Sequence, residues 1–167
     1  AGKRTIAARL HEVAPGARVL DVAMSSFPSN PLCWSFVSVE VDGPNYRLRR
    51  GVASVAPGLA PARSCPAAFA EGASQRALSP AVAVVWEQQT PLADLLRRKQ
   101  QSCQFDAWLR FARAPAMFAD AATDARYGID PGSNFSTIRY AAFEQAPCPA
   151  GVPGWAYPRT DLLEPNL

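Results

Sequence analysis

Histidine is almost absent from this chain: His11 is the only one in 167 residues. That scarcity bounds the chemistry. A Ser/His/acid triad or a Cys/His pair needs a base, and no serine here stands in a G-x-S-x-G turn, so neither arrangement is credible. A zinc site takes three or four protein ligands, so a lone histidine near the edge of an apolar helical stripe reads as a surface or half-buried side chain. Lysine is nearly as rare. Lys3 and Lys99 are the whole supply, and the net charge of +3 rests on arginine. No basic block interleaves with aromatics, which argues against nucleic acid as a partner. No apolar run approaches the roughly 18 residues of a membrane span, and there is no signal-peptide core. The first Gly of a phosphate-binding loop is missing, and Arg4 separates Lys3 from Thr5. With no initiator Met, Ala1-Gly2-Lys3-Arg4-Thr5 reads as an internal cut, and the chain as a soluble piece of a longer protein.

What is present describes a globular domain. The chain is 49% hydrophobic and 19% charged, and its length predicts one domain with an adequate core over 1–167. Four cysteines, Cys33, Cys65, Cys103 and Cys148, form no C-x-x-C pair, so a zinc ribbon is not expected. Cys65 and Cys148 stand in Ser-Cys-Pro and Pro-Cys-Pro loops, where a disulfide between them would tie down irregular chain. Cys33 lies on an apolar strand and reads as a small core hydrophobe. The even count permits an oxidising compartment without demanding one.

Periodicity sets out the elements. Ile6, Leu10 and Val13 share one stripe of a helix over 3–13, which Pro15-Gly16 ends. A strand follows over 18–24. Pro28, Asn30 and Pro31 form a rigid turn, with Asn30 expected to bond its own backbone, and feed an apolar strand from Trp34 to Val41. Ser35, Ser38 and Glu40 read as its outward residues, and Trp34 as a core aromatic. Asp42-Gly43-Pro44-Asn45 turns this strand into its partner, 46–54, on which Arg47 and Arg49 read as a solvated face. Residues 55–76 are irregular. Ser79-Pro80 and Thr90-Pro91 both resemble a helix cap followed by a first-turn proline, predicting helices over 81–88 and 92–101. A third helix is expected over 104–113, then strands over 117–127 and 135–144 and a Pro-rich wrap over 145–167. The order predicts an α+β fold: a mainly antiparallel sheet, made of the N-terminal hairpin and a C-terminal strand pair, with a group of helices inserted between them.

Three segments carry a resemblance. Pro28-Ser29-Asn30-Pro31-Leu32-Cys33-Trp34 before a hairpin, then Phe105, Trp108, Arg110, Phe111 and Pro115 in a W-x-R-F-x-x-x-P pattern, then Asp124-Ala125-Arg126-Tyr127 as D-x-R-[FY], occur in that order. The set resembles the soluble C-terminal region of the predicted membrane-bound metal-dependent hydrolases of bacteria, over roughly Val19 to Phe143. The resemblance implies about four preceding membrane helices that carry His and Asp ligands for a divalent metal. It also implies a parent at the inner membrane. The chain itself supplies none of that site, so no cofactor and no catalytic residue is expected within it.

The polar residues left over are candidates for facing a ligand. Asp120, Asp124 and Arg126 fall on one face of the predicted strand over 117–127, and Arg110 and Arg113 lie three apart on the predicted helix. Each has a plainer reading: an internal ion pair for Asp124 and Arg126, solvated helix charge for Arg110 and Arg113. Asp120 and Asp124, four apart on a strand, would stand about 13 Å from each other, too far for glycosidase chemistry. Arg97, Arg98 and Lys99 near a helix C-terminus could meet lipid headgroups. The expected function is an accessory domain that positions substrate or the parent's own N-terminal membrane region. The alternative is a structural or protein-interaction module without a catalytic role. Four cysteines tilt the expected location towards the periplasm.

Overall fold

The structure is a computed structural model that describes residues 2–66, 75–144, 146–151 and 162. Its class is α+β, with a five-stranded and a three-stranded antiparallel sheet and helices between the strand groups. The backbone packs as two compact units, Ala1–Gly43 with Arg47–Gln89, and Pro44–Tyr46 with Thr90–Leu167.

In the first unit, helix α1 (Gly2–Val13) precedes strands β1 (Arg18–Phe27), β2 (Asn30–Asp42), β3 (Asn45–Ser54), β4 (Arg76–Ser79) and β5 (Val82–Pro91). The sheet order is β1-β2-β3-β5-β4. Ile6 and Leu10, one helical turn apart, bury against Val22, Phe36, Ala53, Val82 and Val84. Gly51 makes room for this packing: a Cβ there would stand 2.6 Å from the Phe36 ring and would strike the Ala83 carbonyl. A second cluster joins Cys33, Val52, Ala62, Cys65 and Ala83. The turns follow their residues. Gly43 takes φ +57° between β2 and β3, and the Asn30 side chain accepts the Leu32 N–H at 3.1 Å between β1 and β2.

The helix expected over 81–88 is instead strand β5. Ser79 does bond the backbone, but by accepting the Ala81 N–H at 3.2 Å, which closes a turn between β4 and β5 rather than a helix. Val82, Val84 and Val85 are β-branched and favour the pleat; Arg76 then pairs with Val84 and Ala77 with Ala83.

In the second unit, α2 (Leu92–Gln101) and α3 (Cys103–Phe111) pack together. Ser102 caps α3 by accepting the Phe105 N–H at 3.1 Å. Strands β6 (Pro115–Met117), β7 (Ala121–Asp124) and β8 (Ile138–Arg139) form the small sheet, and α4 (Tyr140–Glu144) follows. The single strand expected over 117–127 therefore folds back on itself, closed by the Phe118 N–H on the Ala121 carbonyl at 2.8 Å. The strand expected over 135–144 is only Ile138–Arg139 before the chain turns helical. Most of the expected C-terminal wrap lies outside the described residues.

All four cysteines are paired, but not as expected. Cys65 bonds Cys33 and Cys148 bonds Cys103. Cys65 reaches the core of its own unit, where Cys33 already sits, so the loop tie and the core position are one feature.

Candidate functional site

The D-x-R-Y segment ends β7, and its geometry is that of a rivet. The Asp124 carboxylate has no exposed surface. It accepts the backbone N–H of Arg126 at 3.0 Å and that of Arg113 at 2.9 Å, and pairs with the Arg126 guanidinium through Nε at 2.9 Å and Nη2 at 2.7 Å. Arg126 also donates to the Phe111 carbonyl at 3.3 Å. One carboxylate thus joins the end of β7 to the chain leaving α3. A buried carboxylate needs partners of this number and kind, and they leave it no free lone pair aimed outward.

The following loop is bonded just as fully. Asn134 donates through Nδ2 to the Asp124 carbonyl at 3.0 Å and the Gly128 carbonyl at 2.8 Å. Its Oδ1 accepts the Ser136 N–H and hydroxyl at 2.9 and 2.6 Å. Ser136 Oγ in turn accepts the Asp124 N–H at 2.9 Å, and the Ser136 carbonyl takes the Trp108 indole N–H at 2.7 Å. Gly128 has φ +146°, a conformation that side-chain-bearing residues rarely adopt. Asp130 accepts the Gly132 N–H, which holds its carboxyl below the usual range, with Ser133 adding to the effect.

Beside this frame lies an apolar cleft of about 430 Å³, lined among others by Gln104, Trp108, Phe111, Phe135, Ile138 and Pro147. Phe111 stacks on Tyr127 at 6.1 Å, and Tyr127 meets Phe135 at 4.6 Å. The Arg126 guanidinium lies 4.8 Å from the centre of the Tyr127 ring. Phe135 is 76% exposed, unusual for a residue of its size. Cleft volume and lining match those of small-molecule sites, though the polar lining groups named above already bond within the protein.

The other candidates do not join this site as a polar face. Asp120 sits in the β6–β7 turn and pairs with Arg139 at 3.0 Å, both exposed. The proposed stripe of Asp120, Asp124 and Arg126 therefore does not form, because β7 spans only Ala121–Asp124. Arg110 stays on α3, 3.8 Å from Asp106, but α3 ends at Phe111 and Arg113 lies beyond it, so the two arginines do not make a helical clamp. Arg97 pairs with Asp94 at 2.7 Å, Lys99 with Asp106 at 3.3 Å, and Arg98 stacks 3.8 Å over the Tyr140 ring. Burial pushes the Tyr140 phenol up to about 12 and raises Tyr46, whose hydroxyl donates to the Pro115 carbonyl at 2.8 Å. In the first unit, Trp34 is half-buried and donates to the Pro31 carbonyl at 3.2 Å, within the Pro28–Pro31 turn segment.

One polar cluster escaped the sequence reading. Ser38 and Glu40 were expected outward and Arg47 and Arg49 solvated, yet Ser38 and Glu40 are fully buried and Arg49 is 3% exposed. Ser38 donates to Glu40 at 2.7 Å; Arg49 bonds Glu40 and, at 2.8 Å, Glu87. Arg47 reaches Asp42 at 3.1 Å and Gln89 at 2.8 Å. Symmetry about the Gly43-Pro44 turn sets Glu40 opposite Arg47, yet Glu40 bonds Arg49 and Arg47 turns to Asp42 and Gln89, so spacing along the hairpin did not reveal the pair. Arg50, also buried, has its pKa lowered to about 10 by desolvation and stays charged at neutral pH.

No family model, curated protein or solved structure matches this chain. Among the described residues no three His, Cys, Asp or Glu side chains come close enough to hold a metal ion. Nor is any described helix long and apolar enough to cross a membrane.

Proposed function

We propose that this chain is an accessory domain of a membrane-bound metal-dependent hydrolase, positioning substrate or the membrane region, with the catalytic residues upstream. The observation that carries this reading is the Asp124–Arg126 rivet. Two of the three segments that resemble the family meet there, through the Arg113 N–H on Asp124 and Arg126 on the Phe111 carbonyl. The third, around Pro28–Pro31, holds a turn by bonds to its own backbone. Residues so engaged support a frame rather than a reaction centre. The described residues do not fit the divalent metal that the resemblance implies, so no step is assigned to it here.

The same reading places the parent at the bacterial inner membrane and this domain on the periplasmic side. Two disulfides support that side, since such bonds persist in oxidising compartments. The exposed aromatics around the cleft give the domain a surface on which substrate or the membrane region would rest. The coding sequence upstream of Ala1 tests the proposal. About four apolar segments carrying His and Asp are expected; a soluble or absent upstream region contradicts it. Esterase or phosphoesterase activity of the purified chain that depends on its own residues would contradict it as well.

A further inference from the structure

The two disulfides differ in a way that points to a device. Cys33 and Cys65 are 0% and 3% exposed, inside the core of the first unit. Cys103 and Cys148 are both exposed. The exposed bridge also borders the cleft: Gln104, next to Cys103, forms one part of the lining, and Ala146, Pro147 and Pro149, around Cys148, form another. Residues 146–151 belong to no helix or strand. Pro147 and Pro149 lack backbone N–H groups, which leaves this wall fewer donors for holding itself to the rest of the unit. Among the described residues, the disulfide and a bond from the Gln104 side chain to the Ala146 carbonyl fasten it to α3.

We propose that the Cys103–Cys148 disulfide is a redox-sensitive clamp that builds one wall of the aromatic cleft, so that the cleft is complete only in the oxidised protein. The reductant would be a dithiol. Its thiolate attacks one sulfur of the bridge, breaking the S–S bond and forming a mixed disulfide; its second thiol then displaces the other cysteine. The dithiol leaves as a disulfide, and Cys103 and Cys148 each end with a proton on sulfur. Accessibility governs the attacking step, so the exposed bridge reacts while the buried one is protected. With the bridge open, the wall from Ala146 to Pro149 is free to leave Trp108 and Ile138. The frame around Asp124 uses no cysteine and keeps its bonds.

The test is graded reduction of the full chain with dithiothreitol under native conditions, read by alkylation and by hydrogen exchange. Cys103 and Cys148 should be alkylated on the order of tenfold faster than Cys33 and Cys65 or more. Amide exchange should rise in 146–151 and in the cleft-lining part of α3 while 18–54 stays protected. Equal alkylation rates, or release of the bridge with unchanged exchange around the cleft, would overturn the proposal. A Cys103→Ser/Cys148→Ser variant should show the same local rise without reductant. Wild-type protection in that variant, or loss of protection across the whole second unit, would overturn it too.

Discussion

The two units handle buried polarity and cross-linking in opposite ways. The first seals both: its disulfide lies in the core, and its Glu40–Arg49 pair is closed off beneath the sheet face with Glu87 at its edge. The second buries one carboxylate, Asp124, under full satisfaction, but leaves its disulfide and an aromatic cleft open to solvent. A sealed network specifies a frame, because a lost partner strands a charge in a low dielectric. Open aromatic surface contributes little to stability and is available for contact.

Breaking the sealed unit should cost most. Replacing Cys33 and Cys65 by serine removes a loop constraint and puts two hydroxyls into an apolar cluster. A loss of about 5 kcal/mol is expected in urea unfolding. If this pair can be removed as cheaply as the exposed one, the contrast between the units fails. Arg49→Met should follow at about 3–4 kcal/mol, since it leaves the fully buried Glu40 without its guanidinium partner and with Ser38 as its remaining bond among the described residues. Adding Glu40→Leu in the same chain should recover most of that loss; a double variant as unstable as the single one would contradict the stranded-charge account.

Smaller effects sharpen the second unit. Asp124→Asn keeps the shape but removes the charge facing Arg126 and one acceptor. The expected loss is about 2 kcal/mol, with a change in the near-ultraviolet signal of Trp108 and Tyr127. An unchanged unfolding midpoint would mean that the rivet holds nothing. Tyr140, with its pKa raised to about 12 from an ordinary value near 10, favours the folded state below pH about 10. That contribution should be lost as pH rises towards 12, and a tyrosinate absorbance titration should show Tyr140 ionising late. Ionisation at an ordinary pH would place its ring in water. Phe135→Ala, at an exposed ring, should shift stability by less than about 0.5 kcal/mol; a larger cost would show that the cleft is part of the core.

Much of this frame was legible in the sequence, and the misses share a cause. The 42–45 hairpin and α2 were readable because Gly43 and the Leu92–Gln101 pattern act locally. Ser79-Pro80 misled because a serine hydroxyl that accepts a nearby N–H can open a helix or close a turn, and the β-branched residues after it decide which. Asp124 and Arg126 stood out in the sequence as candidates for facing a ligand, with an internal ion pair as the plainer reading; the ion pair is present, and the shared face with Asp120 depended on a strand that the Phe118–Ala121 turn interrupts. Burial of Glu40 and Arg49 was hidden because alternation assigns charge to solvent, whereas two opposite charges can seal each other. The cysteine partners depended on tertiary approach, which spacing in the chain does not encode.

Among the described residues, Glu40, Asp120 and Asp124 bond to internal partners and no three metal-ligating side chains come together, so this chain is expected to bind no divalent metal of its own. A native mass spectrum of the purified chain under non-reducing conditions, with zinc or manganese added and then removed by EDTA, tests this most directly. The expected result is a metal-free chain lighter than the fully reduced form by about 4 Da, as two disulfides require. A stoichiometric ion that EDTA strips away would contradict it, and would move the search for chemistry back into this chain.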